Sequence, residues 1–366
     1  MKRVLLTTGG TGGHIFPALA VAEELRSRHP GMALLFMGSL YGPERRLAEN
    51  AGIDFVGLPV RGFLGRGLRG LAAAGRMLAA IPKALVTVRR FAPDAVAGFG
   101  SYAAFAPLVA ARALRVPGVL HEQNAVAGVS NRLLSRLTDT VCVSLPGTQG
   151  FEGRRVVVTG NPVRKDIFAV GHAPRDFSRR HLLVVGGSQG AHALNRLVVE
   201  LLPELKKRGI SVYHQTGPRD EAEVAAAYGA QGMTAGGACR VSAFIDDMPS
   251  AYAWADLALC RAGASTVAEL CGAALPSLLV PFPYAAHDHQ TFNAKAVEGA
   301  GAARLLPEAG LTAEGLLGHL DEVLAETATL SAMSKAALSL AKPDAAALVV
   351  DQLEAVCGER EGRARP

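Results

Sequence analysis

The chain is 366 residues long, with 38 Lys and Arg against 32 Asp and Glu, a net charge of +6 at neutral pH, 41 glycines and five cysteines. Roughly 150 residues per domain makes this two domains, each large enough for its own core; the scattered cysteines (Cys142, Cys239, Cys260, Cys271, Cys357) include no C-x-x-C pair, which argues against structural zinc and for a reduced, cytosolic protein. The basic balance suits an anionic partner such as a nucleotide or a phospholipid surface, and nucleic acid is not expected, because no stacking aromatics are interleaved with the basic residues.

The first apolar run, Val4-Leu5-Leu6, passes within a few residues into Thr7-Thr8-Gly9-Gly10-Thr11-Gly12-Gly13-His14-Ile15-Phe16-Pro17 and a helical pattern from Ala18 to Leu25, so no secretory leader is expected. Strand, glycine turn and helix in that order present backbone amides and a helix dipole to an anion, and the glycines let a phosphate approach closely. The spacing does not fit G-x-G-x-x-G, and the next strand ends in Gly38-Ser39 without a carboxylate for a ribose, which disfavours a plain dinucleotide site. His14 at the mouth of the turn is placed to take a proton near neutral pH; the alternative is that it caps the helix or donates to a phosphate.

Leu64 to Arg90 carries Leu68, Leu71, Leu78, Ile81, Leu85 and Val88 at helical spacing beside Arg66, Arg69, Arg76, Lys83, Arg89 and Arg90, with Pro82 expected to kink or divide it. That composition fits an interfacial membrane contact or an ordinary surface helix with its apolar stripe on the core. The turn Gly98-Phe99-Gly100-Ser101-Tyr102-Ala103 matches G-x-G-x-x-A, with Glu122 where a ribose-binding carboxylate would lie, although a tight strand-to-helix turn explains the glycines equally well. His121-Glu122-Gln123-Asn124 closes a strand at the sheet edge where ligands bind in open α/β folds. The uncharged runs 95–111 and 270–286 are shorter than the ~20 residues a membrane span needs.

Thr159-Gly160-Asn161-Pro162-Val163-Arg164 reads as the interdomain linker, giving domains over 1–161 and 162–343 with a helix over 344–357 crossing back onto the first. In the second domain Gly186-Gly187-Ser188-Gln189-Gly190-Ala191 repeats the anion-binding arrangement, with the Ser188 hydroxyl as an added donor. Asp246 and Asp247 are adjacent rather than D-x-D, so no metal-diphosphate clamp is expected. Glu269, early in the helix opened by Ala264-Ser265-Thr266-Val267-Ala268, either favours the helix dipole or accepts both hydroxyls of a ribose. His287-Asp288-His289-Gln290 lacks the further ligands of a metal site and suits sugar contacts better.

With T-x-G-G-T-G-G-H-x-x-P, G-F-G-x-Y, H-E-Q-N, G-N-P-V-R, G-G-S-Q-G-A, R-x-G-A-x-T-x-x-E and D-H-Q in this order, essentially the whole chain resembles the MurG family, the UDP-N-acetylglucosamine transferases that make lipid II from lipid I in bacterial peptidoglycan synthesis. The resemblance implies an α/β GT-B fold of two Rossmann-like parallel-sheet domains facing across a cleft, and an inverting, metal-independent enzyme without a cofactor. It also implies a peripheral position on the cytoplasmic face of the inner membrane, with UDP-N-acetylglucosamine, lipid I, the anionic membrane surface and other cell-wall synthesis proteins as partners. It places Arg164, Ser188, Ile245, Ala264, Ser265, Thr266, Val267, Ala268, Glu269 and Gln290 around the donor, Ile245 taking uracil through its backbone and Glu269 the ribose. Thr11, Gly12, Gly13 and Asn124 would face the donor sugar, while Gly10, Gly98, Gly100, Ser101 and Tyr102 would receive the acceptor's pyrophosphate. His14 is then the expected base for the acceptor C4 hydroxyl and Glu122 the runner-up. Ser101 and Cys260 stand where that family usually has glycine and serine. The rival readings are another GT-B enzyme, such as a UDP-N-acetylglucosamine 2-epimerase, and a non-enzymatic nucleotide-binding membrane module.

Overall fold

The structure is a computed structural model that describes residues 1–10, 12–60, 75–187, 190–234, 237, 239–285 and 288–364, with 360–364 as helix backbone only. It divides into two compact units, the first comprising residues up to Arg164 together with the chain from Lys342 on, the second Lys165–Ala341.

In the first unit the strands β1 (Arg3–Thr7), β2 (Ala33–Ser39), β3 (Asp54–Leu58), β4 (Ala95–Gly98), β5 (Gly118–Glu122), β6 (Thr140–Val143) and β7 (Val156–Val158) form one sheet in the order β3-β2-β1-β4-β5-β6-β7. Every pairing is parallel. Central strands such as Val4-Leu5-Leu6 are apolar without alternation because both faces of the sheet are covered. On one face α1 (Gly12–Arg28) buries Ile15, Ala18, Val21 and Leu25 against Val349, Val350, Leu353 and Val356 of the closing helix Ala345–Ala364. Each such large side chain contributes roughly 1.5–3 kcal/mol on leaving water. Arg28 pairs with Asp351 at 2.5 Å, and His29 Nε2 lies 2.8 Å from Glu354, which fixes the register of the two helices.

The other face is covered by the helices Ile81–Phe91 and Phe105–Ala113. Residues 64–74 of the amphipathic segment lie outside the described residues. Beyond them the chain is helical over 75–79, breaks at Ala80, and resumes with Pro82 in the first turn of the second helix, where its missing N–H leaves no internal hydrogen bond unmade. Pro82 therefore divides the segment.

The second unit repeats the winding. Its strands β8 (His181–Val185), β9 (Ser211–Gln215), β10 (Arg240–Ser242), β11 (Leu257–Cys260), β12 (Ser277–Leu279) and β13 (Ala303–Leu305) are parallel, in the order β10-β9-β8-β11-β12-β13. Strand order reverses between β1 and β4 in one unit and between β8 and β11 in the other. In each unit the carboxyl ends of those two strands are the place where an open α/β sheet binds ligands.

Candidate active site

In the first unit the two glycine turns leave β1 and β4, on either side of that switch point. Phe99 N–H donates to the Thr7 carbonyl at 2.9 Å, so the end of β4 stays paired with β1 and its next carbonyl is held against the start of α1. His14, in the first helical turn, places Nδ1 3.0 Å from the Phe99 carbonyl oxygen and 3.2 Å from Gln123 Oε1. A carbonyl only accepts, so the proton sits on Nδ1 and the neutral imidazole carries its lone pair on Nε2. Gln123 Nε2 also donates to Phe99 at 3.0 Å and so fixes the side chain that steadies the ring.

Glu122 is differently employed. It is buried, and Oε1 accepts from the Asn124 amide at 2.9 Å and from Asn124 Nδ2 at 3.1 Å, while Oε2 accepts from Asn131 Nδ2 at 2.8 Å and Gly128 N–H at 3.2 Å. With both oxygens holding the loop after β5, Glu122 is a support for Asn124 rather than a group aimed at a substrate. The neighbouring His121 is fully enclosed; burial lowers its pKa to about 4, and its Nε2 lies 3.0 Å from the Gly160 carbonyl, so it is neutral at physiological pH.

The acceptor-side glycines separate into different roles. Gly98 is inside β4, where a Cβ would stand 3.0 Å from Leu108 Cδ1 and 3.4 Å from Leu120 Cδ1; it makes room for packing and is not placed to touch a ligand. Gly10 has φ +98°, and its amide donates to Glu44 Oε1 at 2.8 Å, so that donor is already used within the protein. Gly100 (φ +87°) lies against Asn131, and Ser101 follows at φ +69°, ψ +160°, a conformation nearly confined to glycine. A serine where the family usually has glycine is therefore held against its own backbone preference. Ser101→Gly is expected to stabilise the chain by about 1 kcal/mol in urea denaturation, the released strain exceeding the added chain entropy; a destabilised Ser101→Gly protein would show that the turn is unstrained. Tyr102 opens the short 3-10 turn Tyr102–Ala104. Thr11 lies outside the described residues; Gly12 and Gly13 begin α1, whose first-turn amides point out of the helix. Arg164, which the 162–343 boundary puts in the second domain, is the last residue of the first unit, its guanidinium 5.5 Å from the centre of the Phe16 ring in α1.

In the second unit β8 leads into Gly186 and Gly187, with Ser188 and Gln189 outside the described residues, and then Gly190. A Cβ at Gly190 would stand 2.1 Å from the Thr216 carbonyl oxygen, so close backbone approach requires glycine there. Gln215 at the end of β9 spans the site: Nε2 donates to Gly187 at 3.1 Å and Oε1 accepts from Ile245 N–H at 2.9 Å. The Ile245 amide is thus engaged inside the protein, which narrows its backbone contact to the carbonyl.

The helix Ala264–Gly272 leaves the turn after β11 and brings Ala264, Ser265, Thr266, Val267, Ala268 and Glu269 into its first turns. Val267 turns toward the interior with Leu270 and Cys271. Glu269 is buried, and its Oε2 accepts from Tyr252 Oη at 2.8 Å. Arg261 braces the next loop, donating to the carbonyls of Val280 at 3.1 Å and Pro281 at 3.2 Å and pairing with Glu308 at 2.5 Å, while Gln290 Oε1 accepts from Phe282 N–H at 2.9 Å. Cys260 is enclosed in β11 and burial pushes its thiol up to about 12, so it is chemically quiet. Among the described residues no group of three or more His, Cys, Asp or Glu is arranged to hold a metal ion; His287 is not among them.

Sequence reading passed over Gln123, Gln215, Tyr252 and Glu44. Gln123 stood inside a motif, and its place beside two named residues was the available signal; the other three act through contacts no local pattern announces.

Two doubly wound parallel units with glycine-rich turns at their switch points are the GT-B fold, and the family matches make the chain a glycosyltransferase of that class. Residues 4–143 match the glycosyltransferase family 28 N-terminal domain and residues 181–349 its C-terminal domain, and the chain belongs to that family. It is 53% identical over 357 residues to the UDP-N-acetylglucosamine--N-acetylmuramyl-(pentapeptide) pyrophosphoryl-undecaprenol N-acetylglucosamine transferase of Nitratidesulfovibrio vulgaris (strain DP4), covering 96% of this chain and 97% of that one. The crystal structure of Acinetobacter baumannii MurG is 36% identical with a TM-score of 0.71, covering 97% of this chain and 99% of that one. A UDP-N-acetylglucosamine 2-epimerase structure has a TM-score of 0.68 at 14% identity, covering 98% of this chain and 97% of that one, which shows a shared fold alone.

Proposed function

We propose that this glycosyltransferase moves N-acetylglucosamine from UDP-N-acetylglucosamine to the C4 hydroxyl of the N-acetylmuramyl unit of lipid I, giving lipid II with inversion at the anomeric carbon. The substrates follow from the name of the relative that is 53% identical over 96% of the chain. The observation that carries the chemistry is the His14 contact to Phe99, which leaves Nε2 as the basic nitrogen. In the step proposed, the acceptor hydroxyl gives its proton to Nε2 as its oxygen bonds to the anomeric carbon, and the bond from that carbon to the UDP oxygen breaks with the electron pair leaving on UDP. The diphosphate charge is met by amides of the turn after β8 and by the Arg164 guanidinium, without a metal.

Within the donor, Glu269 accepts from the ribose hydroxyls, the Ile245 carbonyl takes uracil N3–H, and Ser188, the residues 264–268 and Gln290 line the rest. Thr11, Gly12, Gly13 and Asn124 face the sugar, and the turn Gly100-Ser101-Tyr102 takes the acceptor's pyrophosphate. Gly10 and Gly98 are assigned to shaping the turns, and Glu122 to holding Asn124. A coupled assay with UDP-N-acetylglucosamine and a soluble lipid I analogue tests the reading: UDP release that requires the acceptor supports it. An epimerised nucleotide sugar without acceptor, or no turnover, would replace it with one of the rival readings.

A lipid-linked acceptor also calls for a membrane surface. No helix among the described residues is long and apolar enough to cross a bilayer. The helix Ile81–Phe91 turns Ala84 and Val88 to the core and leaves Val86 50% exposed, flanked at helical spacing by Lys83, Arg89 and Arg90; Leu78 is 57% exposed beside Arg76. Where Val86 and the basic residues at helical spacing from it share an exposed face, apolar area and headgroup attraction add. Lys83 is a poor choice for mutation because it donates to the Gly57 carbonyl at 2.8 Å. Reversing Arg76, Arg89 and Arg90 to Glu should release the protein from anionic vesicles in a sedimentation assay, at roughly 1 kcal/mol per basic residue, with activity on a soluble acceptor intact. Undiminished vesicle binding would put the contact elsewhere.

A further inference from the structure

A buried carboxylate lies beneath the first glycine turn, and none of the roles above uses it. Glu44, the first residue of α2 (Glu44–Asn50), is fully enclosed; Oε1 accepts from Gly10 N–H at 2.8 Å, and Oε2 has no hydrogen-bond partner among the described residues. Three further glycines make room for it. A Cβ at Gly9 would stand 2.8 Å from Oε1, one at Gly42 2.0 Å from Oε2, and one at Gly38 3.2 Å from Cγ. Burial pushes the carboxyl above its ordinary range, although the amides of Glu44 itself, Gly10 and Ser39 oppose that shift.

Enclosing a carboxylate away from water is unfavourable, so its effect must be sought in what it fixes. Gly10 is the residue at which the chain, at φ +98°, turns from β1 toward α1. His14 sits four positions on, in the first turn of that helix. We propose that Glu44 is a positioning residue: by accepting the Gly10 N–H in a cradle of glycines it fixes the entry to α1 and hence the place of the His14 ring. The kinetic part rests on the reading of His14 as base; the conformational part does not.

The test uses the full chain with Glu44→Ala, Glu44→Gln and Gly42→Ala. Glutamine keeps an acceptor oxygen for Gly10, alanine removes it, and a methyl at position 42 pushes the carboxylate away. Amide hydrogen exchange over residues 8–16 of the unliganded protein should rise about tenfold or more in Glu44→Ala and Gly42→Ala and stay near wild type in Glu44→Gln. Turnover should fall on the order of tenfold or more in the first two, with donor KM within about twofold of wild type, and be retained in Glu44→Gln. Unchanged exchange and turnover in Glu44→Ala, equal damage in Glu44→Gln, or faster exchange throughout the unit rather than over 8–16 would each overturn the proposal. If Glu44→Ala does not fold, the contrast between Gly42→Ala and Glu44→Gln carries the same test. Locally raised exchange in a chain whose wild type transfers no sugar would uphold the role of Glu44 and reject the functional reading instead.

Discussion

His14→Ala should lower turnover on the order of 10²-fold or more while UDP affinity changes by no more than about twofold. The ring's Nδ1 is committed to the Phe99 carbonyl and Gln123 Oε1, so what the substitution deletes is the Nε2 lone pair. The residues proposed for uracil and ribose, Ile245 and Glu269, belong to the other unit, and neither is hydrogen-bonded to His14. Steady-state kinetics beside calorimetric titration of UDP separates the two effects. Turnover that survives in His14→Ala would remove this histidine from the chemistry; UDP affinity falling in step with turnover would make it a binding group.

Glu269→Ala carries the second large effect, an increase in donor KM of about 10- to 150-fold, the equivalent of losing a charged hydrogen-bond acceptor worth roughly 1.5–3 kcal/mol. Activity should persist at saturating donor, because the carboxylate is proposed to touch the ribose and no reacting atom. Tyr252 Oη holds one carboxylate oxygen at 2.8 Å, so the group is oriented before the donor arrives and little ordering is needed on binding. An unchanged donor KM would leave Glu269 with the helix dipole alone.

The parallel sheets and the glycine turns were legible because they depend on local pattern: unbroken apolar runs such as Val4-Leu5-Leu6 have to be covered on both faces, and glycine clusters directly after them have to be turns. The division of Leu64–Arg90 at Pro82 was legible for the same reason, since the missing amide is a property of one residue. Chemistry made by distant contacts was not. Glu44 meets Gly10 across 34 positions, Gln215 meets Ile245 across 30, and Tyr252 meets Glu269 across 17. Glu122 had the right residue type at the right strand end for a base or a ribose ligand, and only the four N–H groups around it reveal that its oxygens are already occupied. Gly98 and Gly100, two residues apart in one motif, part company for a reason the motif hides: the first is still inside the sheet against Leu108, the second has left it with positive φ. Ser101 stands where the family usually has glycine, and only its φ of +69° reveals why glycine suits the position.

The central claim is tested most directly by identifying the product. The full chain incubated with UDP-N-acetylglucosamine and a soluble lipid I analogue, followed by proton NMR, should give one new disaccharide with a β-configured linkage to C4 of the N-acetylmuramyl ring, formed in step with UDP. A retained α linkage would contradict inversion with His14 as base, and a C2-epimerised nucleotide sugar or an unaltered acceptor would contradict the transfer itself.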